Sequence, residues 1–556
     1  MANAQIDNNS SGRRRPSAKR LATCLATALG LGGLIPPANA ANIVVTACSD
    51  ADIVHPPLHL FGLRSSVFSA NDGDTIDMTK LGTCTITLTN GAIPITVNNL
   101  QVVGPNSQTL TIDGQSSDRV FNHTGTGGIL FENLTIAHGK TAGNGGCIQS
   151  AGTVDLFLNV TVTGCSASGK GGGIAARYVQ TDHSTISNNA GGGVYASGTR
   201  TSAPDAYLEN STISGNTGGA GLAGNCVGRV TIQNSVIENN TSSTTSGGIN
   251  MCCFGPNNAS VVNMSYSSVL GNNGDKVDRF SGGICAEYVY LSRSNVSGNK
   301  GRVGGILTGF GNNGGYDFSA DRSTIADNIG YVETGGVSSS HASVEYSTIS
   351  GNQSVHSEGG LRATTSRFVN STISGNHGYY GGGISTNVAT LFNSTVAFNA
   401  SSKASGDNLN GNRFYSGGIT NLNFQCPPFC NPGVSMASTI VANNGVGVLN
   451  AESDVYVVNT STLTGTLIAF NSLIMSSNIP SSSLKADPLL LPLASNGGPV
   501  QTHALSPRSP AIGTGSNPKG LGFDERGSGF ARSWVNKQTD IGAYQTQDRI
   551  FYDGFD

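Results

Sequence analysis

Residues 347–399 read STISGNQSVHSEGGLRATTSRFVNSTISGNHGYYGGGISTNVATLFNSTVAFN, and one pattern is written there three times. Serine, an aliphatic residue and asparagine recur at fixed offsets: Ser347, Ile349 and Asn352, then Ser371, Ile373 and Asn376, then Ser394, Val396 and Asn399. Working outward, the aliphatic anchor column reads Ile186, Ile213, Ile237, Leu270, Val296, Ile325, Ile349, Ile373, Val396 and Ile440, mostly 23 to 29 positions apart. Val162 and Ile136 extend it toward the N-terminus. Two positions before the anchors stand Ser184, Ser211, Ser235, Ser268, Ser294, Ser323, Ser347, Ser371, Ser394 and Ser438. Three positions after them stand Asn189, Asn216, Asn240, Asn273, Asn299, Asn328, Asn352, Asn376, Asn399 and Asn443, so the landmarks are expected to keep one register throughout. Glycine pairs followed by an aliphatic lie between the units, from Gly172-Gly173-Ile174 to Gly417-Gly418-Ile419. A third apolar position falls five before the anchor, at Leu208, Ile232, Leu291, Val344, Phe368 and Leu391.

This spacing predicts an all-β fold, a single-stranded right-handed parallel β-helix of about a dozen rungs with caps at both ends. Rungs about 4.8 Å apart turn each repeated position into a column along the axis. Aliphatic columns fill the interior, each buried residue contributing about 1.5–3 kcal/mol before its entropy cost. Stacked asparagines hydrogen-bond to one another and tolerate left-handed turns, and glycine serves where φ is positive. No segment sustains a helical period, and the repeat is too short for a propeller blade of four strands.

The 556 residues include 77 glycines but only 11% charged residues and a formal net charge of −3, which gives nucleic acid no basic face to bind. The one basic cluster, Arg13 to Arg20, precedes an apolar run from Leu21 to Ile35 and the small-x-small site Ala38-Asn39-Ala40. Residues 1–40 therefore read as a signal peptide, with no membrane-spanning segment after cleavage. Ten cysteines remain beyond Cys24, an even number that suits disulfides in an oxidising compartment. Proximity suggests Cys48 with Cys84, Cys147 with Cys165 and Cys426 with Cys430. Cys226, Cys252, Cys253 and Cys285 are then left to pair among themselves, and no CxxC pair supports a zinc site instead.

Less regular sequence brackets the repeats. Residues 41–130 read as an N-terminal cap with the first irregular rungs, through Leu110-Thr111-Ile112-Asp113-Gly114 and Asp118-Arg119-Val120-Phe121, and residues 131–486 as the repeats. With its glycine-glycine-aliphatic units, the chain resembles secreted bacterial β-helix proteins related to polymorphic outer membrane proteins. Its segment 487–546, with Asn496-Gly497-Gly498-Pro499, Thr502-His503-Ala504-Leu505, Ser509-Pro510-Ala511-Ile512 and Asp540-Ile541-Gly542-Ala543-Tyr544, is similar to the choice-of-anchor Q region of exported proteins. The resemblance implies export to the medium or the outer surface of a Gram-negative bacterium rather than the periplasm, and says little about activity. Too few residues follow for a transmembrane barrel, and the aromatic and acidic tail 547–556 resembles short sorting signals.

Signatures of catalysis are thin. The chain has no Asp-Asp pair and no Gly-His-Gly, both of which polygalacturonase-like hydrolases of this fold use. Asp182, Glu209, Asp321 and Glu345 stand four positions before their anchors, followed at the next position by His183, Arg293 and Arg322 in three rungs. Asp182, His183, Asp321 and Arg322 are the candidates for acid–base work, and a solvated turn explains the same residues. No cofactor is expected, except Ca²⁺ under a lyase reading. The expected function is an adhesin-like surface protein binding glycans or cell-surface components without catalysis. A lyase or hydrolase acting on an acidic polysaccharide is the alternative, and a structural surface or biofilm component a third.

Overall fold

The computed structural model describes residues 40–547 except positions 56–57, 106–108, 199–203, 226–227, 252–258, 278–279, 309–316, 403–415, 422–431, 447–450, 453, 458–464 and 534–537. The signal-peptide reading, the tail from 548 onward, and Cys226, Cys252, Cys253, Cys426 and Cys430 lie outside the described residues. The fold is a parallel β-solenoid. One rung shows the plan: the strand Leu361–Val369 follows a glycine pair, a single residue turns the chain, Thr372–Ser374 carries the anchor Ile373, and Asn376 leads to the next glycine pair.

Stacking in register builds the sheets. Anchors pair rung to rung, Ile325 with Ile349, Ile349 with Ile373 and Ile373 with Val396, in a parallel sheet of 15 strands. Cys84–Thr87, Leu110–Asp113 and other early strands join the same stack despite their looser sequence. A 28-stranded sheet forms the opposite wall from two stacks, the short strands after the glycine pairs and the longer strands before the anchors, which fuse at Leu361–Val369 and Ile384–Phe392. The interior holds four apolar columns, one more than the sequence analysis identified. The additional one lies seven positions before the anchor, at Val179, Val230, Val262, Val289 and Phe318, all fully buried. Alanine at Ala206, Ala342 and Ala389 interrupts its pattern in the sequence.

The asparagine column is a buried ladder with one direction. Each side-chain amide and backbone N–H donates to the next rung's Oδ1, as from Asn328 to Asn352 at 2.9 and 3.1 Å and from Asn352 to Asn376 at 2.9 and 3.0 Å. The second amide hydrogen goes to the anchor carbonyl of the rung below, Ile325 O for Asn352. Every polar atom is thus satisfied, which burial requires. At the far end Asn444 donates to the Asp454 carboxylate at 2.8 Å, which also accepts from the backbone N–H and hydroxyl of Ser476.

Two rungs depart from the single expected register. Asn272, not Asn273, receives the bonds from Asn240, and Asn444, not Asn443, receives those from Asn399. The anchors there are Val269 and Val441 instead of Leu270 and Ile440, and the hydroxyls are Ser267 and Thr439 instead of Ser268 and Ser438. In both rungs each landmark is doubled, as Ser267-Ser268, Val269-Leu270 and Asn272-Asn273. Five positions before the true anchors stand the buried Met264 and Met436, and a one-residue shift would put Ser265 and Ser435 inside instead.

Most glycine pairs serve close approach, which revises the expectation of positive φ. A Cβ on Gly336 would lie 2.3 Å from Gly360 O and 3.1 Å from the ladder residue Asn352. Positive φ belongs to other positions, Gly351 and Gly375 among them, in the turn just before the ladder. The disulfides Cys48–Cys84 and Cys147–Cys165 tie the first rungs, and Cys285 is also disulfide-bonded. At the N-terminal end the helix Leu63–Phe68 covers the core with Leu63 and Val67.

Beyond Asp487 the chain does not continue the stack. The antiparallel pair Leu490–Ala494 and Thr502–Leu505, with the segment after it, lies back over the outer face of the anchor sheet. This strap touches successive rungs: Thr348 donates to Gln501 O, Ser374 bonds to His503, Asn393 donates to Ser516 O, and Ser438 donates to Asp540 O.

Candidate functional site

A single residue turns the chain from each long strand into the anchor sheet, and it adopts the left-handed conformation rung after rung. His183, Asn210, Asn234, Tyr266, Arg293, Arg322 and Tyr346 occupy this column with φ between 47° and 50°. Asparagine suits it best, and a bulkier side chain there points outward at the cost of a small strain. The position of His183, Arg293 and Arg322 is therefore set by the turn. Asp182, Glu209, Asp321 and Glu345 form the neighbouring outward column at the ends of the long strands.

The four catalytic candidates form two separate pairs. His183 Nδ1 lies 2.7 Å from Asp182 Oδ1, which also accepts from Asn210 at 3.0 Å. Arg322 lies 2.6 Å from the Asp321 carboxylate, and its guanidinium stacks 4.9 Å from the Tyr346 ring centroid. Five rung steps separate Asp182 from Asp321, through Glu209, Gln233, Ser265 and Ser292. At ~4.8 Å per rung the two pairs are ~24 Å apart and do not converge on one bond. Among the described residues no three His, Cys, Asp or Glu side chains come together as metal ligands.

The outer face of the long strands carries a continuous polar column along its middle, with Phe157 and Phe392 in the neighbouring outward column. Its middle column runs from Asp155 through Gln180, Tyr207, Thr231, Asn263, Tyr290, Ser319, Ser343, Arg367 and Thr390 to Ser435, rung by rung. Ten rung steps make ~48 Å of uninterrupted hydrogen-bonding groups. Tyr290 is 38% exposed, and Tyr266 beside the face is 58% exposed. Charge is divided along it. Toward the N-terminal end stand Glu132, Asp155, Asp182 and Glu209; burial, with the Asp182 charge adding, pushes the Asp155 carboxyl up to about 7. The Tyr207 hydroxyl lies within hydrogen-bond distance of Glu209 and Gln233, and burial together with the Glu209 and Asp182 charges raises it to about 12. Toward the other end stand Arg293, Arg322 and Arg367, the last paired with Glu345.

The strap contains a polar knot that the sequence analysis passed over. Arg526 pairs with Asp524 at 2.6 Å and is sandwiched 3.9 Å from the rings of Phe530 and Tyr544. Arg532, fully buried and lowered to about 10 by that burial, donates to the carbonyls of Asp540, Gly542 and Ala543. Glu525 is buried against Thr372 and Thr348, and its carboxyl is pushed well above the usual range by burial. The charged run Asp524-Glu525-Arg526, in a chain with 11% charged residues, was the available signal. A cavity of about 390 Å³ lies at the N-terminal cap beside Arg64 and Phe68, where the Arg64 guanidinium is taken up by Asp50 and two carbonyls.

These features define a parallel β-solenoid with one polar face that no segment covers among the described residues and one face covered by its own C-terminal strap. No protein-family model and no curated protein matches the chain. Among solved structures, the pectate lyase Pel9A is similar to it, with 12% identity, a TM-score of 0.27, and coverage of 91% of this chain and 97% of that one. Among the described residues no helix is long and apolar enough to cross a membrane.

Proposed function

We propose that this chain is an exported, surface-associated solenoid that binds glycans along the outer face of its long strands, without catalysis. The uninterrupted polar column from Asp155 to Ser435 carries the reading. A repeating hydroxyl-rich polymer has donors and acceptors all along its length, and a flat column of Ser, Thr, Asn, Gln and Tyr offers complementary groups at a constant spacing. The exposed rings of Tyr266 and Tyr290 add stacking surfaces for sugar faces. Separation of the catalytic candidates into two pairs, each bonded within itself, favours binding over bond cleavage. Disulfides at the early rungs accord with an oxidising compartment.

The test is retention of the purified chain on a panel of neutral and acidic polysaccharides, alongside assays for new reducing ends and unsaturated uronate, with and without Ca²⁺. Retention without turnover is the expected result, weakened by Tyr290→Ala and unaffected by Ser297→Ala on the anchor sheet. Turnover lost in Asp182→Asn or Asp321→Asn would replace this reading with the lyase or hydrolase alternative.

A further inference from the structure

Arg293 differs from the guanidiniums near it. Arg322 sits on Asp321 and Arg367 on Glu345, so both are neutralised by carboxylates of their own face. Arg293 has no carboxylate within ion-pair distance among the described residues. It donates through Nη1 to the Tyr266 hydroxyl at 2.8 Å and stacks 5.3 Å from that ring centroid. Its backbone is fixed in the left-handed turn at φ 48°, and the side chain is exposed. The result is a held guanidinium with open donors beside the polar column, suited to a planar anion. On the same face, the carboxylates of Asp182 and Glu209 stand on adjacent rungs toward the N-terminus and repel anions there.

We propose that the glycan is a sparsely charged acidic heteropolymer, one of whose carboxylates is bound by Arg293 while neutral sugars lie against the acidic rungs. This rests on the glycan-binding reading above. The division of charge along the face disfavours a homopolymer that places an anion on every sugar, because such a chain would set its carboxylates against Asp182 and Glu209.

The experiment titrates the full chain with four probes: hyaluronate, in which uronate alternates with a neutral amino sugar; carboxyl-reduced hyaluronate; polygalacturonate; and neutral dextran. Hyaluronate is expected to bind tightest, with its reduced form and polygalacturonate each weaker by about tenfold or more. Arg293→Gln should bring hyaluronate down to the affinity of its reduced form, and Arg293→Lys, which keeps the charge and loses the fork, should fall between. Thermal midpoints of both variants verify that the turn still folds. Equal binding of hyaluronate and its reduced form, or an unchanged Arg293→Gln affinity, overturns the inference and leaves the glycan-binding reading standing. Binding of none of the four overturns both.

Discussion

Asn352 shows how much a single position carries. Its Oδ1 accepts two bonds from Asn328, and its amide serves Asn376 and the Ile325 carbonyl. Asn352→Ala orphans several buried groups at about 1–3 kcal/mol each, so urea unfolding should show a loss of at least about 3 kcal/mol. Asn273→Ala is the counterpart, since Asn273 stands beside the ladder and its Oδ1 is buried without a partner. It should change stability by no more than about 0.5 kcal/mol. The opposite ranking would restore the register in which Asn273 belongs to the ladder. Residue chemistry also explains what the sequence left ambiguous. Where Ser, aliphatic and Asn are each doubled, only the third column decides, because Met264 and Met436 fit the interior and Ser265 and Ser435 do not.

At the level of elements, the strap and the anchor sheet meet through polar groups. Glu525 bonds to the hydroxyls of Thr348 and Thr372, and burial raises its carboxyl above the unfolded value. A raised folded pKa means its contribution is complete below about pH 4.5 and is lost as pH rises through the folded value. His503, lowered by burial, behaves oppositely, contributing above about pH 6.5 and losing that contribution as pH falls. Glu525→Gln isolates the carboxyl: the variant should gain on the parent as pH rises above about 5, until the folded carboxyl itself ionises, read by thermal melts. A constant difference would show that the carboxyl does not titrate in that range. Asp524→Ala removes the partner of Arg526 between its two rings and should cost about 3–5 kcal/mol of strap docking. Hydrogen exchange should then rise in residues 502–545 while the rungs remain protected. Where the strap docks was not legible in the sequence, since periodicity locates what repeats and is silent about where a segment without a period comes to rest.

For the molecule as a whole, stability is the sum of neighbouring contacts along a rod. Period, three of the four apolar columns and the pairings Cys48–Cys84 and Cys147–Cys165 were readable because each follows from local spacing. The charge division along the polar face was not, because Asp155 and Arg367 become members of one column only when every rung is in register. That division predicts a response to salt: raising ionic strength should weaken binding of an acidic glycan while leaving a neutral one nearly unchanged. Equal sensitivity for both would place the contact away from Arg293.

The one-way donation in the ladder bears on how such a chain changes over generations. Every joint from Asn189 to Asn399 has the same donors below and the same acceptor above, so a duplicated rung finds matching partners wherever it lands. Copy number is therefore a variable that unequal recombination can alter without redesigning a junction. The strap limits that freedom: between Thr348 and Ser438 it is fitted to particular rungs, and an added one there would shift its bonds out of alignment. Descendants of this gene should vary in length before Thr348 and hold a constant count after it.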